Sequence, residues 1–371
     1  MIFERRVRPF LKSESVFILM ESESSNKSGA KVTEERLQAY MGQLHPDREG
    51  LTVSQLEDIT SGWETELYRF NLGFDEGGLP VSRQLVVRLY PGRYASGKAE
   101  KEFTVMGKLR VAGFPVPEVH LVEADACVLG VPFMIMDWVK GHSMMDDFLG
   151  TPLEKLGPHI EVFARLFVEL HRIDPALIFP ESPDLEDTSG YLEMALERTA
   201  RDLDESGPPW LKPVLDWLDE NRHGVSPGRF SVLHRDFHPG NVMVRPDGSH
   251  AVIDWGAASM GDPRADLMWT VLLASAFWGR PFGETLLKAY QRTSGEAVGD
   301  AGFFEVAAIY RRIQDTSISF TRGAEEAGMR AGGLEQMKES LVHLYSVHGF
   351  LEERTGIRLP EFDELLKSVE G

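Results

Sequence analysis

The segment at residues 230–266, near the middle of the chain, constrains the fold more than any other. Its turn signal is Asp247-Gly248, and Asp-Gly between apolar β-forming runs is a strong indicator of a β-hairpin. A loop centred on these two residues predicts that Asn241 lies directly opposite Asp254, with Cβ atoms about 5 Å apart. Asp236 lies in the preceding loop, which follows a short apolar strand. The sequence therefore predicts three oxygen-bearing side chains near the open end of one hairpin.

These side chains suit phosphoryl transfer. Oxygen ligands such as Asn241 and Asp254 suit Mg²⁺, and a further carboxylate, Asp236, can accept a proton from a hydroxyl nucleophile. The motifs agree, because His234-Arg235-Asp236 followed by Asn241 fits H-R-D-x-x-x-x-N, and Asp254-Trp255-Gly256 differs from D-F-G by one aromatic residue. An ordinary hairpin with polar ends would explain either motif alone. Both motifs in order, on one hairpin, favour the chemical interpretation.

The same segment resembles the aminoglycoside phosphotransferase-like family of small-molecule kinases, which share the protein-kinase fold. Three family patterns match: H-x-D-x-H-x-x-N at His234, Asp236, His238 and Asn241; I-D-[WF] at Ile253-Asp254-Trp255; and G-D-P-x-x-D at Gly261-Asp262-Pro263 and Asp266. Arg235 departs from the pattern, since the family more often has Gly there. His238 separates the resemblance from protein kinases, which usually carry Lys at that position. The likeness covers about residues 51–290 and is most specific at 234–266.

The resemblance implies an α+β, protein-kinase-like two-lobe fold, with a β-rich N-lobe that has one helix and a larger, mostly helical C-lobe. We expect a disordered segment at 1–30, a nucleotide-binding N-lobe at 31–139, and a C-lobe at 140–371 with the catalytic loop and acceptor site. Sequence patterns place N-lobe strands at 53–59, 66–72, 84–90, 118–122 and 127–139, a turn at 73–80 and a helix at 96–111, preceded by a helix at 33–44 with Thr33 as its cap.

In the C-lobe, apolar periodicity predicts a helix at 161–172, and Ser189 as a cap indicates another at 189–204. Asp262 and Pro263 are typical of a helix start, and that helix is expected to run to about Trp278. Three or four further helices should follow, with capping glycines at Gly332-Gly333 and Gly349. Asp266 lies in the first turn of the helix that begins at Pro263, and the resemblance gives it the structural role of holding the catalytic loop.

On the nucleotide side, the resemblance implies ATP or GTP as co-substrate. Arg88 stands where protein kinases have Lys, and it would steady the α- and β-phosphates with Glu102 as its partner. Glu100, on the same helix, is the less favoured partner. The loop over the phosphates falls at Ser61 and Gly62, although Gly62 is its only glycine and an ordinary turn is the alternative.

The base of the nucleotide is expected at a hinge formed by Met136, Asp137 and Val139, for which plain core packing is the alternative. On the catalytic side, the resemblance implies that Asn241 and Asp254 hold Mg²⁺, and that Asp236 orients and deprotonates the acceptor hydroxyl.

The resemblance implies an acceptor site built from residues 181–205 and the C-terminal helices, although a solvated surface helix is the alternative for 181–205. The sequence does not say which acids of the C-terminal region touch a substrate: Asp300, Glu305, Asp315, Glu325 or Glu326.

Net charge and cysteine content limit the classes of partner and of metal site that the sequence predicts. The chain has 371 residues and a net charge of −19, which argues against nucleic acid or an anionic membrane as a main partner. The charge leans toward a cationic acceptor, although a solvated acidic surface explains it equally well. Cys127 is the only cysteine, so neither an intrachain disulfide nor a cysteine-based metal site is expected. No apolar run is long enough for a transmembrane helix, and a cytoplasmic protein is the simplest interpretation.

The sequence thus predicts a Mg²⁺-dependent phosphotransferase that moves the γ-phosphoryl of ATP or GTP to a hydroxyl of a small molecule. A Ser/Thr protein kinase is the first alternative, suggested by Arg235, but His238 and the lack of an A-P-E segment argue against it. A nucleotide-binding scaffold with little catalysis is the second, suggested by Arg88 and the eroded glycine loop. The sequence indicates neither the acceptor nor the oligomeric state.

Overall fold

The computed structural model describes residues 32–60, 65–92, 94–180, 188–323, 333–338 and 341–370. The strands are β1 (Thr52–Asp58), β2 (Glu66–Glu76), β3 (Leu79–Leu89), β4 (Val119–Glu123), β5 (Phe133–Asp137), β6 (His142–Ser143), β7 (Ser231–Leu233), β8 (Val242–Val244), β9 (His250–Val252) and β10 (Ser259–Gly261). The helices are α1 (Glu34–Leu44), α2 (Ala95–Val111), α3 (Met144–Gly150), α4 (Gly157–Arg172), α5 (Pro175–Ile178), α6 (Thr188–Ser206), α7 (Lys212–Asn221), α8 (Pro263–Trp278), α9 (Arg280–Ser294), α10 (Ala301–Arg322), α11 (Gly333–Lys338), α12 (Val342–Thr355) and α13 (Pro360–Glu370).

The N-lobe is an antiparallel sheet of order β1-β2-β3-β5-β4 with a helix on each face. Side chains of β3 alternate between the faces, as the pleat of a strand requires. Leu85 and Val87 pack in the cluster that contains Leu37 of α1, whereas Val86 packs in the cluster that contains Ala99 of α2. Arg88 shares the face of Val86, as the sequence predicted, so its side chain lies on the side of the sheet that meets α2 and the C-lobe.

Two N-lobe strands differ from the prediction. The β2–β3 hairpin extends to Glu76 paired with Leu79, because alternation continues through the predicted turn at 73–80 and the chain reverses at Gly77-Gly78. The predicted strand at 127–139 begins only at Phe133. The residues before it form a turn, in which the Gly130 N–H donates to the carbonyl of Ala126 at 2.7 Å. The apolar run therefore contains a turn that its composition did not reveal.

The connection between the lobes passes through Gly141, as expected of a hinge. Gly141 has φ +152° and lies against β8, where a Cβ atom would come within 2.0 Å of the Val244 carbonyl oxygen. Only glycine fits this approach. The chain then pairs His142 and Ser143 with β8, so the hinge is held against the strand that follows the catalytic loop.

The C-lobe is helical, as predicted, and three small antiparallel ladders position its site. Asp262 caps α8, since its side chain accepts from the Arg264 N–H at 2.9 Å, and α8 ends at Trp278 as predicted. The prediction for Gly349 is wrong, because this residue lies inside α12, which instead ends at the left-handed Gly356. Gly332 lies outside the described residues. None of the described helices is long and apolar enough to cross a membrane.

Candidate active site

The hairpin of β8 and β9 forms, with a register one residue away from the predicted one. Val242 pairs with Val252, and the Ile253 N–H donates to the Asn241 carbonyl at 3.0 Å, so Asn241 lies opposite Ile253 and not opposite Asp254. The loop has five residues, 245–249, closed by the Arg245 N–H donating to Ser249 at 2.8 Å. Asp254 begins the segment after the ladder and has φ +69°. Asn241 and Asp254 therefore still lie at the same open end of the hairpin.

Asp266 holds the catalytic loop through its backbone, as the sequence predicted. Its two carboxylate oxygens accept from the N–H groups of His234 and Arg235, each at 2.7 Å. Burial alone would raise the pKa of Asp266, but its hydrogen bonds and the nearby His171 hold that pKa below its ordinary value. Arg235 has φ +72°, a conformation that favours glycine, so the two bonds help to hold a strained residue.

Asp236, the predicted base, is oriented by a tryptophan. The Trp269 indole N–H donates to Asp236 Oδ1 at 2.9 Å. His238 Nε2 lies 3.5 Å from the other oxygen, Oδ2. Burial alone would raise the pKa of Asp236, but His238 and the Trp269 hydrogen bond lower it well below its ordinary value. The carboxylate is therefore ionised at neutral pH and has one oxygen fixed by α8.

The tautomer of His238 follows from its contacts. The Gly240 N–H donates to His238 Nδ1 at 3.0 Å, so Nδ1 must be unprotonated and the neutral ring carries its proton on Nε2, facing Asp236. Burial alone would lower the pKa of His238, but Asp236 raises it above the ordinary value. Protonation of Nδ1 would break the bond to Gly240, and the resulting imidazolium would bind Asp236 more strongly.

Arg88 joins the lobes at the predicted phosphate site. Its Nη1 lies 3.2 Å from Glu102 Oε1, and its Nη2 donates to Asp254 Oδ1 at 2.5 Å. The pairing of Arg88 with Glu102 that the sequence predicted is present. Arg88 Nε is buried and has no hydrogen-bond partner within the described residues. An unsatisfied guanidinium nitrogen at this position fits a phosphate oxygen of a nucleotide.

Glu102 ties helix α2 to the segment after the hairpin. It is fully buried and accepts from the Tyr90 hydroxyl at 2.8 Å and from the Trp255 N–H at 3.0 Å. Close packing of α2 also explains Gly256, because a Cβ there would lie 3.0 Å from Cε of Lys98 and 3.4 Å from Glu102 Oε2. The position of Asp254 is thus fixed from both lobes.

The donor groups at the predicted metal site fit Mg²⁺. Asn241 donates from Nδ2 to the Asp236 carbonyl at 2.9 Å, which leaves its amide oxygen as the available ligand. The Asp254 side chain is 44% exposed, and burial alone would raise its pKa, but Arg88 lowers that pKa so that it stays ionised. One amide oxygen and one carboxylate match the small number of protein ligands that Mg²⁺ takes. Among the described residues, no group of three or more His, Cys, Asp or Glu side chains is placed to hold a metal ion.

The structure describes only some of the other residues that were predicted to bind the nucleotide. Met136 and Asp137 end strand β5, and Val139 is buried beside the hinge glycine. The His120 ring lies 2.8 Å from Asp137 Oδ1, which fixes that side chain. Ser61 and Gly62 lie outside the described residues. The nucleotide-binding roles of these five residues stay predictions.

A large cavity of about 1140 Å³ opens beside the catalytic loop, and the sequence did not indicate all of its walls. Helix α6 lines one side, as expected for the 181–205 region, and α10 lines the other. Trp269, Tyr310 and Arg311 line it too, and none of them was predicted as a site residue. One signal was available, because Trp269 follows Asp266 by three residues and therefore lies one helical turn further along the same face of α8.

The acids considered for the acceptor site have different surroundings. Asp315 lines the cavity. Asp300 pairs with Arg264 at 2.9 Å, and Glu305 is buried between Arg280 and Arg354. Asp300 and Glu305 are therefore already paired with arginines. Glu325 and Glu326 lie outside the described residues.

Comparisons with known proteins give one matching family and several relatives. Residues 55–308 match the model of a family described as "Phosphotransferase enzyme family". Mouse acyl-CoA dehydrogenase family member 10 is 26% identical over 303 residues, which cover 73% of this chain and 28% of that protein. The human acyl-CoA dehydrogenase family member 11 is 24% identical over 307 residues, which cover 80% of this chain and 37% of that protein. The chain spans less than two-fifths of the length of either relative.

Solved structures share the fold. A thermostable mutant of the aminoglycoside phosphotransferase APH(4)-Ia, in a ternary complex with AMP-PNP and hygromycin B, aligns with a TM-score of 0.52 at 16% identity, over 86% of this chain and 99% of that one. The macrolide 2'-phosphotransferase MphH from Brachybacterium faecium aligns with a TM-score of 0.51 at 19% identity, over 81% and 98%. At these identities the likeness concerns the fold alone, and it confirms the two-lobe, kinase-like architecture expected from the sequence.

Proposed function

Because the chain belongs to the phosphotransferase enzyme family, we propose that it transfers the γ-phosphoryl group of ATP or GTP to a hydroxyl group of a small molecule. The observation that carries the proposal is the position of Asp236. Its carboxylate is ionised and accepts from Trp269, which lines the large cavity, while its backbone carbonyl accepts from Asn241 at the end of the hairpin. A nucleotide on one side and a hydroxyl compound on the other would meet at this carboxylate.

The chemical step balances with the groups present. The acceptor oxygen forms a bond to the γ-phosphorus while the bond from that phosphorus to the β,γ-bridging oxygen breaks, and ADP or GDP leaves. The acceptor proton would pass to Asp236 Oδ2, the oxygen that Trp269 does not bond and that lies 3.5 Å from His238 Nε2. Because the transition state is loose, most of the rate enhancement would come from positioning and charge, with little covalent work by the protein.

Asn241 and Asp254 would hold Mg²⁺, which when bound neutralises charge on the phosphates. Arg88 would contact the α- and β-phosphates through the donors that Glu102 and Asp254 do not occupy. Hinge residues Asp137 and Val139 would receive the base. Support for a nucleotide comes from the unsatisfied Nε of Arg88 and from the AMP-PNP complex of APH(4)-Ia.

The substitution Asp236→Asn tests the assignment. It keeps the size of the side chain and the Trp269 contact but removes the proton acceptor, so transfer should fall by about two orders of magnitude or more. Nucleotide affinity, measured by calorimetry, should change little. Transfer of radiolabelled γ-phosphate to a broad panel of hydroxyl-bearing metabolites and antibiotics is the readout.

Three results would contradict the proposal or its assignment of the proton acceptor. Label that enters protein acceptors and not small molecules would support a protein kinase, the alternative suggested by Arg235. Nucleotide binding without transfer to any acceptor would support a non-catalytic scaffold. Equal transfer by wild type and Asp236→Asn would show that the base lies elsewhere.

A further inference from the structure

We propose that the acceptor carries an anionic group, a carboxylate or a phosphate, bound by Arg235 and Arg311 in the cavity beside Asp236. This inference rests on the proposed function and names the substrate class for the same site. It goes against the cationic acceptor to which the overall charge of −19 leans. Three observations support it: an arginine without a partner, a second arginine fixed next to it, and a buried hydroxyl without a partner.

Arg235 presents a guanidinium group that no described acid contacts directly, although Asp266 and Asp315 act on it at longer range. Its N–H and carbonyl are bonded, to Asp266 and Arg311, but its guanidinium makes no hydrogen bond or ion pair within the described part of the chain. It lines the cavity and is partly buried. Burial and the nearby charge of Arg311 lower the pKa of Arg235. A guanidinium that is partly buried without an anion is costly, so a bound anion would relieve an existing penalty.

Arg311 is held in place at the same cavity wall, and Trp269 connects it to Asp236, the proposed proton acceptor. Its Nη1 donates to the Arg235 carbonyl at 2.6 Å, and its guanidinium carbon lies 3.9 Å from the centre of the Trp269 ring. Trp269 in turn donates to Asp236. Trp269 therefore contacts both Arg311 and Asp236, so an anion held by Arg311 would lie close to the carboxylate of Asp236. This spacing suits a hydroxyl and an anionic group on one molecule.

Tyr310 provides a neutral donor at the same cavity. Its hydroxyl is buried and has no hydrogen-bond partner within the described residues. Burial raises the pKa of Tyr310, so the hydroxyl stays protonated and can donate to an anion or to a polar group of the acceptor. A buried hydroxyl without a partner is unfavourable in the empty site and is satisfied when a ligand binds.

Four acids also line this cavity and oppose an anion there: Glu193, Asp202, Asp262 and Asp315. Asp202 acts on Tyr310, and Asp262 is paired with Arg264. Asp315 lies 3.5 Å from Arg311 Nε, and its side chain is 51% exposed, so solvent weakens that pair. Glu193 is already paired with Arg222 at 3.5 Å. The net charge of the chain acts over longer distances and is screened beyond about 8 Å at physiological salt, whereas Arg235 and Arg311 act at contact distance. The local charge therefore decides which acceptor binds.

The experiment compares matched acceptors. Hydroxy acids of increasing chain length are tested beside their methyl esters and the corresponding amino alcohols, and sugar phosphates beside their parent sugars. The first set distinguishes a carboxylate from neutral and cationic groups, and the second tests a phosphate. The proposal expects kcat/KM to be at least tenfold higher for one anionic class than for its neutral counterparts.

Arg235→Gly removes the guanidinium and keeps the fold, since glycine accepts the φ of +72° better than arginine does. It should raise KM for the anionic acceptor about tenfold or more, with little change for its ester. Arg235→Lys keeps a charge and should recover part of the loss. The exposed, ion-paired Arg292 provides the control, and Arg292→Gln should leave both substrates unaffected.

The outcomes of these experiments separate a failure of the inference from a failure of the proposed function. A preference for esters or amino alcohols, or an unchanged KM for anions in Arg235→Gly, overturns the inference and leaves the proposed function standing. A wild type that binds nucleotide but transfers phosphate to no acceptor contradicts the proposed function, and the inference falls with it.

Discussion

The pair of Asp236 and His238 is the smallest unit with a chemical consequence. Trp269 fixes one carboxylate oxygen and His238 faces the other, so the protonation state of His238 controls how readily Asp236 accepts a proton. Asp236 raises the pKa of His238 above its ordinary 6.5. As the pH falls through that raised pKa, the imidazolium binds the carboxylate more tightly and makes it a poorer base.

This coupling predicts the acid side of the pH profile. Transfer by the wild type should fall as the pH drops through the raised pKa of His238, above 6.5. In His238→Asn the fall should move to lower pH, because Asp236 then titrates alone. The measurement is kcat/KM between about pH 5 and 9 at saturating nucleotide. An identical acid limb in both proteins would show that His238 does not act on Asp236.

At this scale the sequence predicted which side chains lie near one another better than their exact register; their roles stay predictions. The motif identified Asp236, Asn241 and Asp254, since the spacing of a catalytic loop is local. Trp269 and Arg311 were missed because their relation to Asp236 depends on how α8 and α10 pack, which no local pattern records. Arg235 was noted as a departure from glycine and as a hint of a protein kinase, not as a residue that binds the acceptor, and its positive φ shows why glycine is usual there.

Among the elements, α8 anchors the catalytic loop through Asp266. Replacing Asp266 with Asn leaves two backbone N–H groups with one oxygen acceptor between them and removes a buried charge. We expect a loss of about 3 kcal/mol in the free energy of unfolding, measured by denaturant titration. Asp216→Asn, on the exposed face of α7, is the control and should change little.

The effect of Asp266→Asn on the free energy of unfolding should depend on pH. The pKa of Asp266 is lowered in the folded state, so its contribution is present above the ordinary pKa of about 3.9 and is lost as the pH falls through the lowered value. The stability gap between wild type and Asp266→Asn should therefore be widest near neutral pH and narrow below about pH 4. A gap that stays constant down to pH 3 or so would contradict a role for the charge.

Helix α2 gives a second test at the element scale, with a control on the same helix. Glu102 is buried against Arg88, whereas Glu100 is exposed. Glu102→Ala should cost about 3–5 kcal/mol, since it leaves Arg88 buried with less counter-charge, and should weaken nucleotide binding. Glu100→Ala should do neither. Equal effects from the two substitutions would show that Glu102 does not support Arg88.

The elements also show where sequence reasoning reaches its limit. Helix α8 was predicted from cap to end, because Asp262, Pro263 and the apolar period all agree. The β8–β9 register was wrong by one residue, because the Asp-Gly signal marks a turn without fixing its length. The loop closes over five residues, 245–249, and that shift moved Asp254 out of the ladder.

For the whole molecule, the two lobes meet through Arg88, Glu102 and Asp254, so nucleotide and Mg²⁺ should stabilise both together. At a hundred times its Kd, a nucleotide adds about 2.7 kcal/mol to the free energy of unfolding. We expect a larger rise in Tm with ATP and Mg²⁺ than with ATP and a chelator. In Asp254→Asn this difference should largely disappear. The same difference in both proteins would place the metal elsewhere.

The two-lobe fold was predictable, since its motifs lie in a fixed order from Arg88 to Asp266. The acceptor half was not, because its cavity is assembled from α6, α10 and the catalytic loop, which are far apart in sequence. Composition was also a poor guide there. The net charge of −19 is spread over the chain, whereas the cavity wall beside Asp236 carries two arginines.

The most direct test of the central claim is phosphorus NMR of the wild-type protein with ATP, Mg²⁺ and a mixture of hydroxyl compounds. We expect a new phosphate monoester signal that grows in step with ADP, with no matching growth of inorganic phosphate. ADP accompanied only by inorganic phosphate, or phosphate recovered on protein, would contradict transfer to a small-molecule hydroxyl.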